Sequence, residues 1–302
     1  MNMNKIPYLK PESKVAIAAP ARKVSLEEIE PALEWLKEKG FVPVFDDILF
    51  AEHHQFAGDD EARAAALQRY IDDPEIDAIL MARGGYGTLR IIDKLNYDAM
   101  SKKPKWIVGY SDVTVLHGDL QRAGYESIHA TMPLNFSDNT PEALDSLYSA
   151  LTGKDLCYEV KPNKMNTLGK CSGKLVGGNL SVLYSMIGSK SFPEMNGNIL
   201  FIEDLDEYLY HIDRMLTALS RCEAVHGLAG IVVGAMTKMH DNTIPFGYTI
   251  EEMVIEHFGS LNIPIAFDIP SGHIDDNRAL VMNRMTEFEV NENGVKLLQK
   301  AV

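Results

Sequence analysis

Between Lys14 and Thr131 the chain alternates short apolar runs with longer stretches of helical period, and this alternation constrains the fold more than any other feature. The runs are Lys14–Pro20 (KVAIAAP), Phe41–Ile48, Ala78–Arg83 (AILMAR), Lys105–Tyr110 (KWIVGY) and Glu126–Thr131. Each is too short for a helix and dense in apolar residues, so each reads as a buried strand. Between them lie helical stretches: Ser25 to Gly40, opened by a Ser25/Glu28 capping-box pattern, the alanine-rich Asp59–Asp73, Gly87–Leu95, and about Asp112 to Ala123. Pro31 falls inside the first, where it removes a hydrogen bond and crowds the preceding turn, so that helix is expected to kink or to start late. Strands and helices in this order imply a parallel sheet with helices on both faces. Ligands of such sheets sit beyond the carboxyl ends of the strands.

The stretch Thr152–Gly173 breaks the pattern. It is polar, with Gly, Lys, Pro and Asn and little period, and reads as a linker or an irregular strand leading into a second domain. Beyond it come a helix from about Asn179 to Ile187, a strand at Asn198–Glu203, a helix at Glu207–Leu219 and a short strand at Gly230–Gly234. A helix at Ile250–Phe258 and a strand at Pro264–Asp268 follow. From Arg278 to Leu298 the tail alternates like paired strands, with Asn293-Gly294 as the turn signal. The expected organisation is an N-terminal α/β domain over 1–151, a linker over 152–173 and a C-terminal domain over 174–302. A length of 302 residues, long for one core, agrees with it.

A net charge of −14 with no Lys/Arg cluster excludes nucleic acid as a partner, since phosphate binding needs a basic patch. No apolar run is long enough to span a membrane, and the start, MNMNKIPYLKPESK, lacks the apolar stretch of a signal peptide. A cytoplasmic protein with no membrane partner is expected. Cys157, Cys171 and Cys222 are too few and too scattered for a disulfide framework or a Cys-based zinc site.

Chemistry is expected at the strand ends. In Gly109-Tyr110-Ser111-Asp112 a serine sits between a strand and a helix, where it is held out beyond the sheet and followed by backbone N–H groups able to stabilise an oxyanion. The position two after it is Val113 rather than the glycine of a G-x-S-x-G elbow, and Ser111 or Asp112 also reads as an ordinary helix cap. Arg83-Gly84-Gly85-Tyr86-Gly87 ends another strand of the same sheet, and its glycines let the backbone approach a ligand or simply make a tight turn. A serine nucleophile needs a base and the base an orienter. His273, in Pro270-Ser271-Gly272-His273 just past a strand, is one candidate base, and His129, at the end of a first-sheet strand, is its rival. Glu203, at the carboxyl end of a strand, is the candidate acid, although Glu203 or Asp204 also reads as a cap for the next helix. There is no H-E-x-x-H and no His pair at i, i+4 on a helix, so no metal or other cofactor is expected.

Taken together, RGGYG at Arg83–Gly87, GYSD at Gly109–Asp112, GGNLSVL at Gly177–Leu183, the IED strand end at Ile202–Asp204 and Gly272-His273 resemble the LD-carboxypeptidase family in order and spacing over nearly the whole chain. The resemblance implies a flavodoxin-like or glutamine-amidotransferase-like N-terminal α/β domain and a smaller, β-rich C-terminal domain of a swivelling type. It implies Ser111 as nucleophile, His273 as general base and acid, Glu203 as its orienter, and the Gly85 and Asp112 N–H groups as oxyanion hole. His129 then becomes part of a substrate wall with Gly84 and Tyr86, and Arg83 is a candidate for the substrate carboxylate. The family cleaves the amide before a terminal D-residue, which makes murein tetrapeptide or a related muropeptide the expected substrate and cell-wall recycling the expected role, in a homodimer. A second branch destroys the peptide–nucleotide antibiotic microcin C. That activity, a cysteine amidotransferase on a similar first domain, and a non-catalytic binding protein are the alternatives.

Overall fold

The computed structural model describes residues 5–302 and contains two sheets. The first is built from β1 (Lys14–Ala18), β2 (Val42–Val44), β3 (Ala78–Met81), β4 (Trp106–Gly109) and β5 (Ser127–His129). These strands run parallel in the order 2-1-3-4-5, the flavodoxin-like arrangement whose crevice opens at the switch between β1 and β3. Helices α1 (Leu26–Glu38), α2 (Asp60–Asp72), α3 (Thr88–Ile91), α4 (Thr114–Ala123) and α5 (Pro141–Thr152) connect and cover them.

Alternate residues of one strand serve the two helical layers. Val15 and Ile17 of β1 join an apolar cluster with Ile29 and Leu36 of α1 and Leu147 and Leu151 of α5. Ala16 and Ala18 face the other way, into a cluster with Leu67 and Ile71 of α2 and Val115, Leu116 and Leu120 of α4. Burial on both faces is why β3 and β4, and β1 after Lys14, are apolar along their length. The Ser25/Glu28 capping box forms, and α1 runs through Pro31 without a break. The carbonyl that Pro31 leaves without a donor belongs to Glu27, in the exposed first turn, where solvent can reach it. β2 ends at Val44, short of the expected Phe41–Ile48, because Asp47–Phe50 forms a 3-10 turn.

The second sheet contains β6 (Leu156–Val160), β7 (Gly169–Asn179), β8 (Ile199–Leu205), β9 (Gly230–Thr237) and β10 (Ile265–Ala266). After β11 (Leu280–Met282), which belongs elsewhere, it is completed by β12 (Met285–Asn291) and β13 (Gly294–Gln299) in the order 10-9-8-7-12-13-6. β7 to β10 are parallel, and α6 (Leu180–Ser185), α7 (Leu209–Ser220) and α8 (Ile250–Phe258) cover one face of them. β12, β13 and β6 form the antiparallel remainder. Much of the stretch expected as a linker is therefore sheet: β6 pairs with β13, and the first residues of β7 pair with β12.

β11 crosses over to the first sheet and lies antiparallel to β5, with Leu280 opposite His129. The first cluster also spans both sheets, joining Val15, Leu80 and Val108 to Leu175, Phe201, Val232 and Phe288. The two sheets thus share a core, and the carboxyl ends of β3, β4 and β8 are held in a fixed relation. No helix among the described residues is long and apolar enough to cross a membrane.

Candidate active site

β4 ends at Gly109, and a 3-10 turn over Ser111–Val113 leads into α4. Ser111 takes a φ of 63°, in the left-handed region that side-chain-bearing residues avoid. Such strain costs on the order of 1–3 kcal/mol and persists where the surroundings over-determine it. The glycine loop after β3 closes on this turn: a Cβ added to Gly84 would lie 3.1 Å from Ser111 Oγ. Gly85 is exposed, turns at a φ of 109°, and its N–H has no protein acceptor among the described residues. The two loops are tied by Asp112, whose buried carboxylate accepts the Thr88 N–H at 2.8 Å. Burial pushes the Asp112 carboxyl up, against the lowering effect of its Thr88 bonds.

The candidate acid and base come from the second sheet. Glu203, wholly buried near the end of β8, accepts the Nδ1–H of His273 at 2.7 Å. A carboxylate only accepts, so the imidazole proton sits on Nδ1 and Nε2 keeps its lone pair for a base's work. Burial opposes ionisation of Glu203, but the charge of His273, then the nearby imidazole of His129 and the hydrogen bond from His273, hold its carboxyl down at about 2. Gly272 makes the approach possible: it turns at a φ of 120°, and a Cβ there would fall 2.8 Å from Glu203 Oε2. The ring of Tyr110, the residue before Ser111, lies 4.8 Å from that of His273, centroid to centroid, which brings the serine turn and the histidine loop together.

Around this core the expected residues fall unevenly. Tyr86 is 47% exposed on the glycine loop, in a position to meet a ligand. Arg83 is partly buried and donates to the Lys23 carbonyl at 3.1 Å. His129, expected in a substrate wall, is instead completely enclosed, with Nδ1 3.3 Å from Ser271 Oγ and Nε2 4.0 Å from Glu203 Oε1. It has no surface to offer a substrate. Beyond the ends of β9 and β10 a cleft of about 570 Å³ is lined by Gly234, Thr237, Thr249, Asp268, Pro270 and Ile274. It adjoins His273, whose carbonyl accepts the Thr237 hydroxyl at 3.1 Å.

The sequence profile described as the LD-carboxypeptidase N-terminal domain matches residues 15–130, and that of the LD-carboxypeptidase C-terminal domain matches residues 172–288. The chain belongs to the LD-carboxypeptidase family. Among LD-carboxypeptidase relatives, the "Probable murein peptide carboxypeptidase" of Bacillus subtilis is 32% identical, over 93% of this chain and 92% of that protein. The "Microcin C7 self-immunity protein MccF" of Escherichia coli is 26% identical, over 72% of this chain and 73% of that protein. The crystal structure of muramoyltetrapeptide carboxypeptidase from Oxalobacter formigenes superposes with a TM-score of 0.87 at 26% identity, over 95% of this chain and 99% of that one.

In this chain the N-terminal match covers β1 to β5, with Ser111 and the glycine loop, and the C-terminal match covers most of β7 through into β12, with Glu203 and His273. Two further residues bear on the site. Arg22, exposed just past β1, lays its stem across the glycine loop, since a Cβ on Gly85 would lie 2.2 Å from Arg22 Cδ. Burial, and then the like charge of Arg22, lower the Arg83 guanidinium. Its one sequence signal is its place beyond β1, at the topological switch. Asp204 is no helix cap of the usual kind: its buried carboxylate accepts Asn179 Nδ2, Ser181 N and Leu205 N, each at 2.9 Å. Burial, and then the charge of Glu203, lift it to about 7.

Proposed function

We propose that this chain is a serine LD-carboxypeptidase that hydrolyses the amide before the terminal D-alanine of murein tetrapeptide, in cytoplasmic cell-wall recycling. The observation that carries the reading is the 2.7 Å Glu203–His273 pair set beside a serine held in a left-handed turn. In this reading Ser111 Oγ attacks the amide carbon while His273 Nε2 takes its proton. The oxyanion is met by the N–H groups of Gly85 and Asp112. His273 then passes the proton to the departing amine of D-alanine, leaving an acyl ester on Ser111. Water, deprotonated by the same histidine, attacks the ester, and the proton returns to Ser111. Glu203 fixes the tautomer throughout and offsets the charge that His273 gains.

A carboxypeptidase must also recognise a free carboxylate. Arg83, with Arg22 beside it at the β1/β3 switch, supplies the positive charge, while Gly84 and Tyr86 line the approach. The reading assigns the nucleophile to a unit over 1–151 and its partners to 174–302, and takes the molecule to be a homodimer. The likeness to the MccF immunity protein keeps a second substrate in view, a peptide–nucleotide conjugate cut by the same machinery.

Mass spectrometry of a murein tetrapeptide ending in D-alanine tests both readings. The protein is expected to release D-alanine with EDTA present or absent, and to act far less on the same peptide with its carboxylate blocked as an amide. Ser111→Ala should stay folded and lose roughly 10⁴-fold or more in rate. A folded variant keeping about a tenth of the activity would sink the assignment, given that expected loss. Turnover of a peptide–nucleotide without any need for a terminal D-residue would favour the second substrate.

A further inference from the structure

Glu203 offers two oxygens, and only Oε2 is taken by His273. Oε1 is fully buried and has no hydrogen-bond partner among the described residues, and the same is true of His129 Nε2. The two atoms face each other at 4.0 Å, with both side chains wholly enclosed. That gap is too long for a hydrogen bond. A buried donor and a buried acceptor left unmade both cost stability, and a small rotation of the imidazole would bring the two within hydrogen-bond reach.

The surroundings set the histidine up to donate. Ser271 Oγ is 3.3 Å from Nδ1 and 3.5 Å from Asn277 Oδ1, which already accepts the Gly272 N–H at 2.8 Å; given to the nearer nitrogen, the hydroxyl proton leaves the imidazole proton on Nε2, toward Glu203. Ser271 lies two residues before His273. His129 itself is in β5, in register with Gly109, two residues before Ser111. Its ring packs against Phe201 at 4.9 Å and Tyr110 at 5.8 Å, centroid to centroid. One side chain of the first sheet thus touches both the acid and the base-bearing loop of the second. The remaining histidine nearby, His117, is already spent: its Nε2–H donates to the Gly109 carbonyl at 2.9 Å, and Nδ1 pairs with Ser127 Oγ at 2.8 Å.

We propose that His129 is a positioning residue that holds the inner oxygen of Glu203, so that the carboxylate set by the second sheet is registered against the serine set by the first. This rests on the serine-peptidase reading above. His129 neither touches substrate nor takes the serine proton. It fixes the rotation of the Glu203 carboxylate and, through it, the direction of His273 Nε2.

The test compares His129→Leu, which removes the donor, with His129→Gln, whose terminal amide reaches the same place as Nε2. His129→Leu should lower kcat roughly 10- to 100-fold, in keeping with a misplacement of up to about 1 Å, and change KM little. In proton NMR the downfield signal of the His273 Nδ1–H bonded to Glu203 should move in His129→Leu. In His129→Gln both kcat and that signal should return close to wild type. Wild-type kcat and an unmoved signal in His129→Leu would overturn the inference. So would an equal loss in both variants, since any damage to packing would then explain it. If His129→Leu does not fold, His129→Asn, whose amide stops short of Glu203, takes its place with the same readings. These outcomes are separate from the serine reading, which fails only if Ser111→Ala remains active.

Discussion

Glu203 and Asp204 are neighbours on β8, yet their surroundings drive them apart. Glu203 falls from an ordinary 4.5 to about 2, and Asp204 rises from an ordinary 3.8 to about 7. For Glu203 the folded value is the lower, so its contribution to stability is present above about 4.5 and is lost as pH falls toward about 2. For Asp204 the folded value is the higher, so its contribution is complete below 3.8 and is lost as pH rises to about 7. Asp204→Asn removes the second titration but turns an N–H donor toward one of three N–H groups. The variant should therefore be least favourable against wild type near pH 4. Its deficit should shrink by up to about 1.4 kcal/mol per pH unit toward pH 7. Calorimetric melting of both proteins from pH 4 to 8 checks this, and parallel curves would reject the raised ionisation. At this scale the sequence carried Ser111, the glycine loop, Glu203 and His273, because each stands at a strand end with a local turn signal. The enclosure of His129 was illegible: the groups around it lie on other elements, and Ser271 is 142 positions away along the chain.

At the scale of elements, β11 and the turn after it pin the first sheet to the second. Arg284 Nε donates to Glu126 Oε1 at 3.0 Å, and a second bond joins Nη2 to Oε2, with both side chains under a tenth exposed. The guanidinium lies 5.6 Å from the Trp106 ring. Arg284→Ala would leave Glu126 charged, buried and alone, and should cost about 3–5 kcal/mol. The double exchange Glu126→Leu with Arg284→Met should recover most of that. Urea unfolding curves of the three proteins decide it, and a single variant as stable as wild type would show that the pair contributes nothing. The central first-sheet strands β1, β3 and β4 could be read from sequence because both their faces are buried. The start of β7 could not: in Gly-Lys-Cys-Ser-Gly-Lys only the second glycine is fully buried, so the apolar alternation that marks a strand is missing. Edge strand β6 does alternate, Leu156 and Tyr158 being inward, but its five residues are surrounded by polar ones. The destination of β11 was equally hidden, since three apolar residues fit either sheet.

For the whole molecule, the shared core makes the site a property of the complete chain. A fragment ending at Gly153 keeps Ser111 but has neither Glu203 nor His273, and the edge of β5 that β11 covers is open. It should release no D-alanine at any pH and should self-associate through that edge. Light scattering and the release assay test both halves, and turnover by the fragment would mean that the base lies on the first sheet. The same long return of β11 has a consequence for synthesis. β5 leaves the ribosome about 150 residues before Met282, a delay of roughly 8 to 30 s at ordinary elongation rates. Through that interval the nascent N-terminal half carries an unsealed hydrogen-bonding edge, and Ser111 stands without Glu203 and His273. The protein therefore gains its sealed sheet and the Glu203–His273 pair in nearly the same moment.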